Sequence, residues 1–273
     1  MPFKTNFSFT QRKESNFCTN NSMAKKLADT LNRVKGQVIK EMNLNGDLDI
    51  QEYLNFKVSM KSGKIPSLEI FESEIEMQGL TVFFVVDCSL SMYYAYDQLR
   101  NITATIFQAL KKCPFIKFEV IAYSGSHSGH EAKIQEINKL DDVKFITADR
   151  DNRLTPTDLA LSYAHEKIRK YEGKKLVILF TDGLPESAQH GYLDLQDKVK
   201  QQLVKMRNDK INFFSVFFQN KEYCKGGRHD LEHITKTMRE IFKGTMYESD
   251  NFNDIEKYLQ KQLIKSVEKI NQQ

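Results

Sequence analysis

Four cysteines lie scattered along 273 residues, at Cys18, Cys88, Cys113 and Cys224, and no two form a CxxC pair. That excludes a zinc ribbon, a thioredoxin-type redox site and a disulfide-stapled scaffold, and it fits reduced thiols in a cytosolic protein. Long apolar runs are missing too. The strongest, 82–86 and 176–180, fall far short of the ~20 residues that span a bilayer, so no membrane span is expected. The start, Met1-Pro2-Phe3-Lys4-Thr5-Asn6, lacks the apolar stretch of a secretory signal, and the expected location is cytoplasmic. No phosphate loop of the Gly-x4-Gly-Lys-Ser/Thr type occurs, so the chain is not itself an ATPase, and no Gly-x-Ser-x-Gly elbow occurs either. Asp87-Cys88-Ser89 lacks the second Asp of a haloacid-dehalogenase phosphatase, and Cys224-Lys225-Gly226-Gly227-Arg228 is too short for a cysteine-phosphatase loop. Charge of one sign is scarce: the net value of +4 is small for a nucleic-acid binder. There is no internal repeat and no low-complexity tract. These absences together point away from an enzyme.

What is present is the composition of a soluble globular protein, with 40% hydrophobic and 28% charged residues. Residues 1–45 carry eight Lys/Arg against three Asp/Glu, which reads as a solvated helix face. Residues 1–21 are polar and aperiodic, so a loosely held arm is expected. Met23, Leu27, Leu31, Val34 and Val38 then recur every three to four residues and predict a helix over 22–42 with one apolar stripe. A second helix is predicted over 48–60, capped by Asp47, and 61–66 reads as a linker. Residues 1–66 thus form a helical extension ahead of a domain over 67–273.

In that domain the pattern changes. Residues 67–77 alternate as a half-exposed strand does, and 81–86 is continuously apolar, as a central parallel strand covered on both faces must be. Further strands are predicted at 115–123, 143–147, 176–181, 211–218 and 245–247. Helices are predicted at 94–111, 156–171, 195–207, 229–242 and from 253 onward. Strands alternating with helices of this length give an α/β fold: a doubly wound, mostly parallel sheet with helices on both faces.

Asp87-Cys88-Ser89-Leu90-Ser91 follows the apolar strand immediately, and Asp-x-Ser-x-Ser aims three oxygen side chains from one tight loop. Leu154-Thr155-Pro156-Thr157-Asp158 opens a helix, and Leu179-Phe180-Thr181-Asp182-Gly183 ends a strand. Each has a plainer reading: Ser91 or Thr155 as a helix cap, with Pro156 in the first turn, and Asp182-Gly183 as a turn. All three segments nevertheless fall on the carboxyl edge of the predicted sheet, where open α/β folds bind ligands. Asp87, Ser89, Ser91, Thr155 and Asp182 would there offer two carboxylates and three hydroxyls to one hard divalent cation, Mg²⁺ or else Mn²⁺ or Ca²⁺. His229 and His233 stand four apart without a third ligand and read as surface residues; His127 and His130 read as loop residues.

In order and spacing, those five residues resemble the metal-ion-dependent adhesion site of von Willebrand A domains, over about residues 67–270. The resemblance implies that the five hold the ion and that a partner's carboxylate fills the open position; Cys88, Leu90, Met92 and 183–187, beside them in sequence, are expected to form the rim around it. Leu90 stands where the family usually has Gly, and Cys88 where it often has a small or acidic residue; the first bears on loop geometry. Asn45-Gly46-Asp47-Leu48-Asp49-Ile50 and Met238-Arg239-Glu240-Ile241-Phe242-Lys243-Gly244 are similar to phrases in the cytosolic members that work with MoxR-type AAA+ ATPases, such as the nitric-oxide reductase activation protein and a cobaltochelatase subunit. That implies a metal-dependent adaptor between an AAA+ ring and a client metalloenzyme. A chelatase subunit acting directly in metal insertion, and a stand-alone adhesion-like scaffold, are the alternatives.

Overall fold

The computed structural model describes residues 3–5, 17–43, 47–48, 53–54, 57–58, 61–62, 71–72, 79–125, 130–147, 154–221 and 230–268. Its strands are β1 (Phe3–Thr5), β2 (Asp47–Leu48), β3 (Phe71–Glu72), β4 (Leu80–Asp87), β5 (Ile116–Gly125), β6 (Ala132–Ile137), β7 (Lys174–Thr181), β8 (Ile211–Phe218) and β9 (Met246–Ser249). Its helices are α1 (Asn21–Asn43), α2 (Tyr96–Leu110), α3 (Thr157–Ile168), α4 (Tyr192–Asn208), α5 (Leu231–Ile241) and α6 (Phe252–Glu268).

Seven strands form one sheet in the order β1-β6-β5-β4-β7-β8-β9. Strands β5, β4, β7, β8 and β9 run parallel, β6 is antiparallel to β5, and β1 lies parallel to β6 at the edge. Every residue of β4 is buried, which explains its unbroken apolar sequence. Val82, Phe84 and Val86 face a core shared with α1, α2 and α6, while Phe83 and Val85 face a second core shared with α3, α4 and α5. The chain is thus doubly wound, as its alternation of elements predicts.

Helix α1 is a layer of this sandwich. Asn20 Oδ1 accepts from the Met23 N–H at 3.1 Å and caps its start. Ala24, Leu27, Ala28 and Leu31 are buried against α2 and α6. Its entry is stitched to α2, with Cys18 N–H donating to Asn101 Oδ1 at 2.7 Å and Asn20 N–H to Thr105 Oγ1 at 3.1 Å. Burying each leucine contributes about 1.5–3 kcal/mol, so the stripe at helical spacing has found its cover.

Several sequence expectations need correction. Residues 143–147 form no strand: Leu140–Phe145 is a 3-10 turn. Val143 and Ile146, three apart, both point into the core, a spacing that suits a three-residue period and not an alternating one. The antiparallel β6 is absent from the sequence reading because its Lys, Gln and Glu are poor strand formers. Part of the supposed loose arm is β1, which pairs Phe3–Thr5 with Ala132–Ile134. Asp47 and Leu48 do not start a helix; they pair antiparallel with Phe71 and Glu72. Residues 53–54 and 57–58 are helical, and the rest of the predicted 48–60 helix and 67–77 strand lies outside the described residues.

Candidate metal centre

Strand β4 ends at Asp87 and β7 at Thr181, side by side in the middle of the sheet. From β4 the chain leaves toward α2 on one face, and from β7 toward α4 on the other. Between two such strands the connections diverge and leave a crevice at the carboxyl edge. Asp87 and Asp182 stand at that crevice because each is the polar residue at the end of an apolar strand.

Asp87 is completely buried. Its Oδ1 accepts from the Ser89 N–H at 2.8 Å and its Oδ2 from Thr181 Oγ1 at 2.6 Å. Ser89 Oγ lies 3.0 Å from Ser91 Oγ, and Ser91 Oγ donates to Asp182 Oδ1 at 2.6 Å. The other oxygen of Asp182 accepts from Asn220 Nδ2 at 3.0 Å, and the same amide donates to the Ser91 carbonyl at 2.6 Å. Tyr96 Oη donates to the Ser89 carbonyl at 2.5 Å. The loop after β4 is therefore pinned at both serine carbonyls.

The structure joins Asp87, Ser89, Ser91 and Asp182 in one hydrogen-bonded cluster. Thr155 reaches it differently: its carbonyl accepts from the Glu186 N–H at 2.9 Å, tying the start of α3 to the loop that carries Asp182. The Thr155 residue is buried, 3% exposed, and no hydrogen bond joins its hydroxyl to the other four among the described residues. The capping readings fail. Helix α3 begins at Thr157 with Pro156 as its cap residue, and the 3-10 turn Leu90–Ala95 and α2 begin without a side-chain cap, so neither Thr155 nor Ser91 caps a helix. Their hydroxyls are not spent on backbone.

Electrostatics favour a cation. Desolvation raises Asp87 well above the ordinary carboxylate range, against hydrogen bonds from Thr181 and Ser89 that lower it. Desolvation raises Asp182 likewise, and the charge of Asp87 adds to it. Neither makes an ion pair with Lys, Arg or His among the described residues. Two buried carboxylates with no counter-charge are costly, and the donors around them are oxygen throughout, the chemistry of a hard divalent ion. The residues present fit Mg²⁺.

Leu90 does not spoil the loop. Ser89 is extended at φ −66° and ψ 163°, and the non-glycine with positive φ among the described residues is Lys210. Leu90 therefore needs no glycine-only conformation, and its side chain packs on the α1–α2–α6 core. A Cβ at Gly183 would sit 3.8 Å from Ser91 Oγ, an ordinary contact that the site can accept. The expected rim is partly wrong. Cys88, Met92 and Pro185 are buried, whereas Leu90, Gly183, Leu184 and Ser187 are half-buried and Tyr93 and Glu186 exposed.

Sequence reasoning missed Thr181, Asn220 and Tyr96. Thr181 and Asn220 end or follow strands on the same edge, which is the signal that points to them; Tyr96 carries none. His130 is no idle loop residue, as it bonds Asp158 and Ser187. His233 is exposed, and His127, His229 and the Cys224–Arg228 phrase lie outside the described residues. No helix among the described residues is long and apolar enough to cross a membrane.

In fold the chain is similar to the pilus adhesin SpaC from Lactobacillus rhamnosus GG. Its open conformation matches with a TM-score of 0.56 and 14% identity, over 73% of this chain and 31% of the adhesin. A second SpaC structure matches with a TM-score of 0.53 and 14% identity, over 73% of this chain and 32% of the adhesin. The PilB minor pilin from Streptococcus sanguinis aligns at a TM-score of 0.48 and 14% identity, over 70% of this chain and 64% of that one. The chain thus spans about a third of the adhesin's length, and likeness at this identity speaks for the fold alone. No curated protein matches it. Residues 81–262 match the von Willebrand factor type A domain. With two thirds of its length inside that match, and the sheet and edge cluster described above, this chain belongs to the von Willebrand factor type A domain family.

Proposed function

We propose that the chain is a metal-dependent protein-interaction module that holds one Mg²⁺, replaceable by Mn²⁺ or Ca²⁺, through Asp87, Ser89, Ser91, Thr155 and Asp182. The observation that carries this is the pair of buried carboxylates at the sheet crevice, lined by hydroxyls and without a cation among the described residues. The ion supplies the missing positive charge and a position open to an outside ligand. Two negative charges from the protein leave a bound divalent ion able to accept a third, so the fitting partner offers an Asp or Glu. Leu90, Tyr93, Leu184 and Glu186 would then read the surface around that acidic residue.

Within this reading the partner is a MoxR-type AAA+ ATPase in the cytoplasm, acting on a client metalloenzyme. The support is the resemblance of two short phrases. In one of them Met238, Ile241 and Phe242 are core residues of α5 and its end, so packing accounts for its apolar positions and the weight falls on the other.

The test is co-purification of such an ATPase with wild type and with Asp87→Ala, in Mg²⁺ and in EDTA. Retention by wild type in Mg²⁺ alone is expected. Equal retention in all four conditions would place the interface away from the ion. No retention in any, alongside intact Mg²⁺ binding, would remove the ATPase and keep the metal site.

A further inference from the structure

A second cluster stands on the same edge of the sheet, built from three separate segments. His130 lies just before β6, Asp158 in the first turn of α3, and Ser187 in the loop after β7. Ser187 Oγ is 3.0 Å from His130 Nδ1, and His130 Nε2 is 2.9 Å from Asp158 Oδ2. The hydrogen bonds assign the ring proton to Nε2, facing the carboxylate, which leaves the Nδ1 lone pair facing the hydroxyl.

Three features separate this from an ordinary structural bond. Asp158 is buried, 6% exposed, and its Oδ1 has no partner, so its carboxylate is committed to the imidazole alone. Ser187 Oγ accepts from the Gln189 N–H at 3.2 Å, which directs the hydroxyl's own proton to His130. His190 packs edge-on to the His130 ring at 4.5 Å and is itself held by Asp194 at 2.9 Å, fixing the ring plane. Ser187 is half-buried, and Ala188 beside it is exposed with a backbone N–H that meets no acceptor among the described residues.

We propose that Ser187, His130 and Asp158 form an acyl-transfer site for small, activated carboxylic esters. Ser187 Oγ attacks the ester carbonyl carbon while His130 Nδ1 takes the hydroxyl proton, and the exposed Ala188 N–H would serve as the oxyanion donor. The tetrahedral intermediate expels the alcohol or phenol, which leaves with the proton from His130. Water then attacks the acyl-serine, giving a proton to His130, and the second tetrahedral intermediate expels Ser187 Oγ, which takes that proton back from His130, releasing the carboxylic acid and restoring the hydroxyl. Asp158 touches no substrate; it positions the ring and stabilises the imidazolium. A single oxyanion donor restricts the site to esters with good leaving groups. The step uses no metal, so it stands or falls apart from the cation site.

The experiment pairs p-nitrophenyl acetate hydrolysis with fluorophosphonate labelling of the whole chain, mapped by peptide mass. Wild type should release p-nitrophenolate and carry the adduct on Ser187. Ser187→Ala and His130→Gln should lose the rate by about 10²-fold or more, and Ser187→Ala should lose the adduct. Asp158→Asn should lower kcat with KM unchanged, a split that a mere loss of structure would not give. If Asp158→Asn does not fold, the half-buried Ser187→Ala and the site of wild-type labelling still decide. An adduct elsewhere or none, or hydrolysis equal in wild type and Ser187→Ala, overturns the proposal.

Discussion

Ser91 Oγ donates a 2.6 Å hydrogen bond to Asp182 Oδ1 across 91 residues of sequence. That bond joins the loop after β4 to the loop after β7, whose chains leave toward opposite faces of the sheet. Asn220 clamps the same pair from a third strand end, through the Asp182 carboxylate and the Ser91 carbonyl. Protein contacts alone therefore hold these side chains together at the edge of the sheet.

The first prediction follows from this division of roles. Calorimetry should show saturable Mg²⁺ binding in wild type and none in Asp87→Ala. Asn220→Ala leaves all five proposed ligands but frees the Asp182 carboxylate, so affinity should drop by about 10–100-fold, as for other residues that orient a metal ligand. An unchanged affinity in Asn220→Ala would show that Asp182 is oriented by something else.

The second prediction concerns pH. Burial raises Asp87 to about 6 and Asp182 to about 7, from ordinary values of 3.8. Across that interval the folded, ion-free protein holds protons that the unfolded chain has released. Ion-free stability should then be greatest at the acidic end of the interval and fall as pH rises through it. Urea unfolding in EDTA at about pH 5 and about pH 8 measures this slope. Asp182→Asn should flatten it, and saturating Mg²⁺ should offset the loss at the higher pH. A steeper slope in Asp182→Asn would remove the carboxylate pair as its source.

The sheet and the place of the Asp87–Ser91 loop on its edge were legible in the sequence for one reason. A central strand covered on both faces must be continuously apolar, so β4 announces itself, and the polar Asp87-x-Ser89-x-Ser91 after it then stands at a sheet edge. The remaining polar contacts have no such frame. Thr181 and Asn220 are single polar residues at strand ends, a position that most polar residues tolerate. His130 meets partners 28 and 57 residues away, and no local spacing encodes that meeting. Strand β6 was illegible because Lys133, Gln135 and Glu136 belie the partner strand that holds them. The apolar stripe of α1 was plain, but what it would pack against was not, since a stripe gives no address.

That address is the third prediction. Leu31 is fully buried and Leu27 nearly so, between α2 and α6. Leu31→Ala should destabilise the whole domain by about 2–5 kcal/mol, the usual cost of a leucine-to-alanine cavity. Urea unfolding should stay a single transition at a lower midpoint, and amide exchange should show residues 24–34 protected together with α2. Unchanged unfolding of the sheet in Leu31→Ala would make α1 a separate unit.

The last prediction turns on Leu90, which stands where glycine is usual in the family. Restoring glycine would help only if leucine forced the loop out of shape. Ser89 before it is extended, and Leu90 itself does not occupy a positive φ. Its side chain instead lies against the core that α1, α2 and α6 share, and so anchors the start of the 3-10 turn that carries Ser91. Glycine would remove that anchor and widen the backbone's choices, at a cost of about 0.5–1 kcal/mol. Leu90→Gly should therefore weaken Mg²⁺ binding by about two- to five-fold, that cost expressed as affinity, and lower the unfolding midpoint as well. Calorimetric titration beside thermal unfolding separates the two effects. Tighter Mg²⁺ binding in Leu90→Gly would mean that the leucine strains the loop, and that the anchoring contact with the core is secondary.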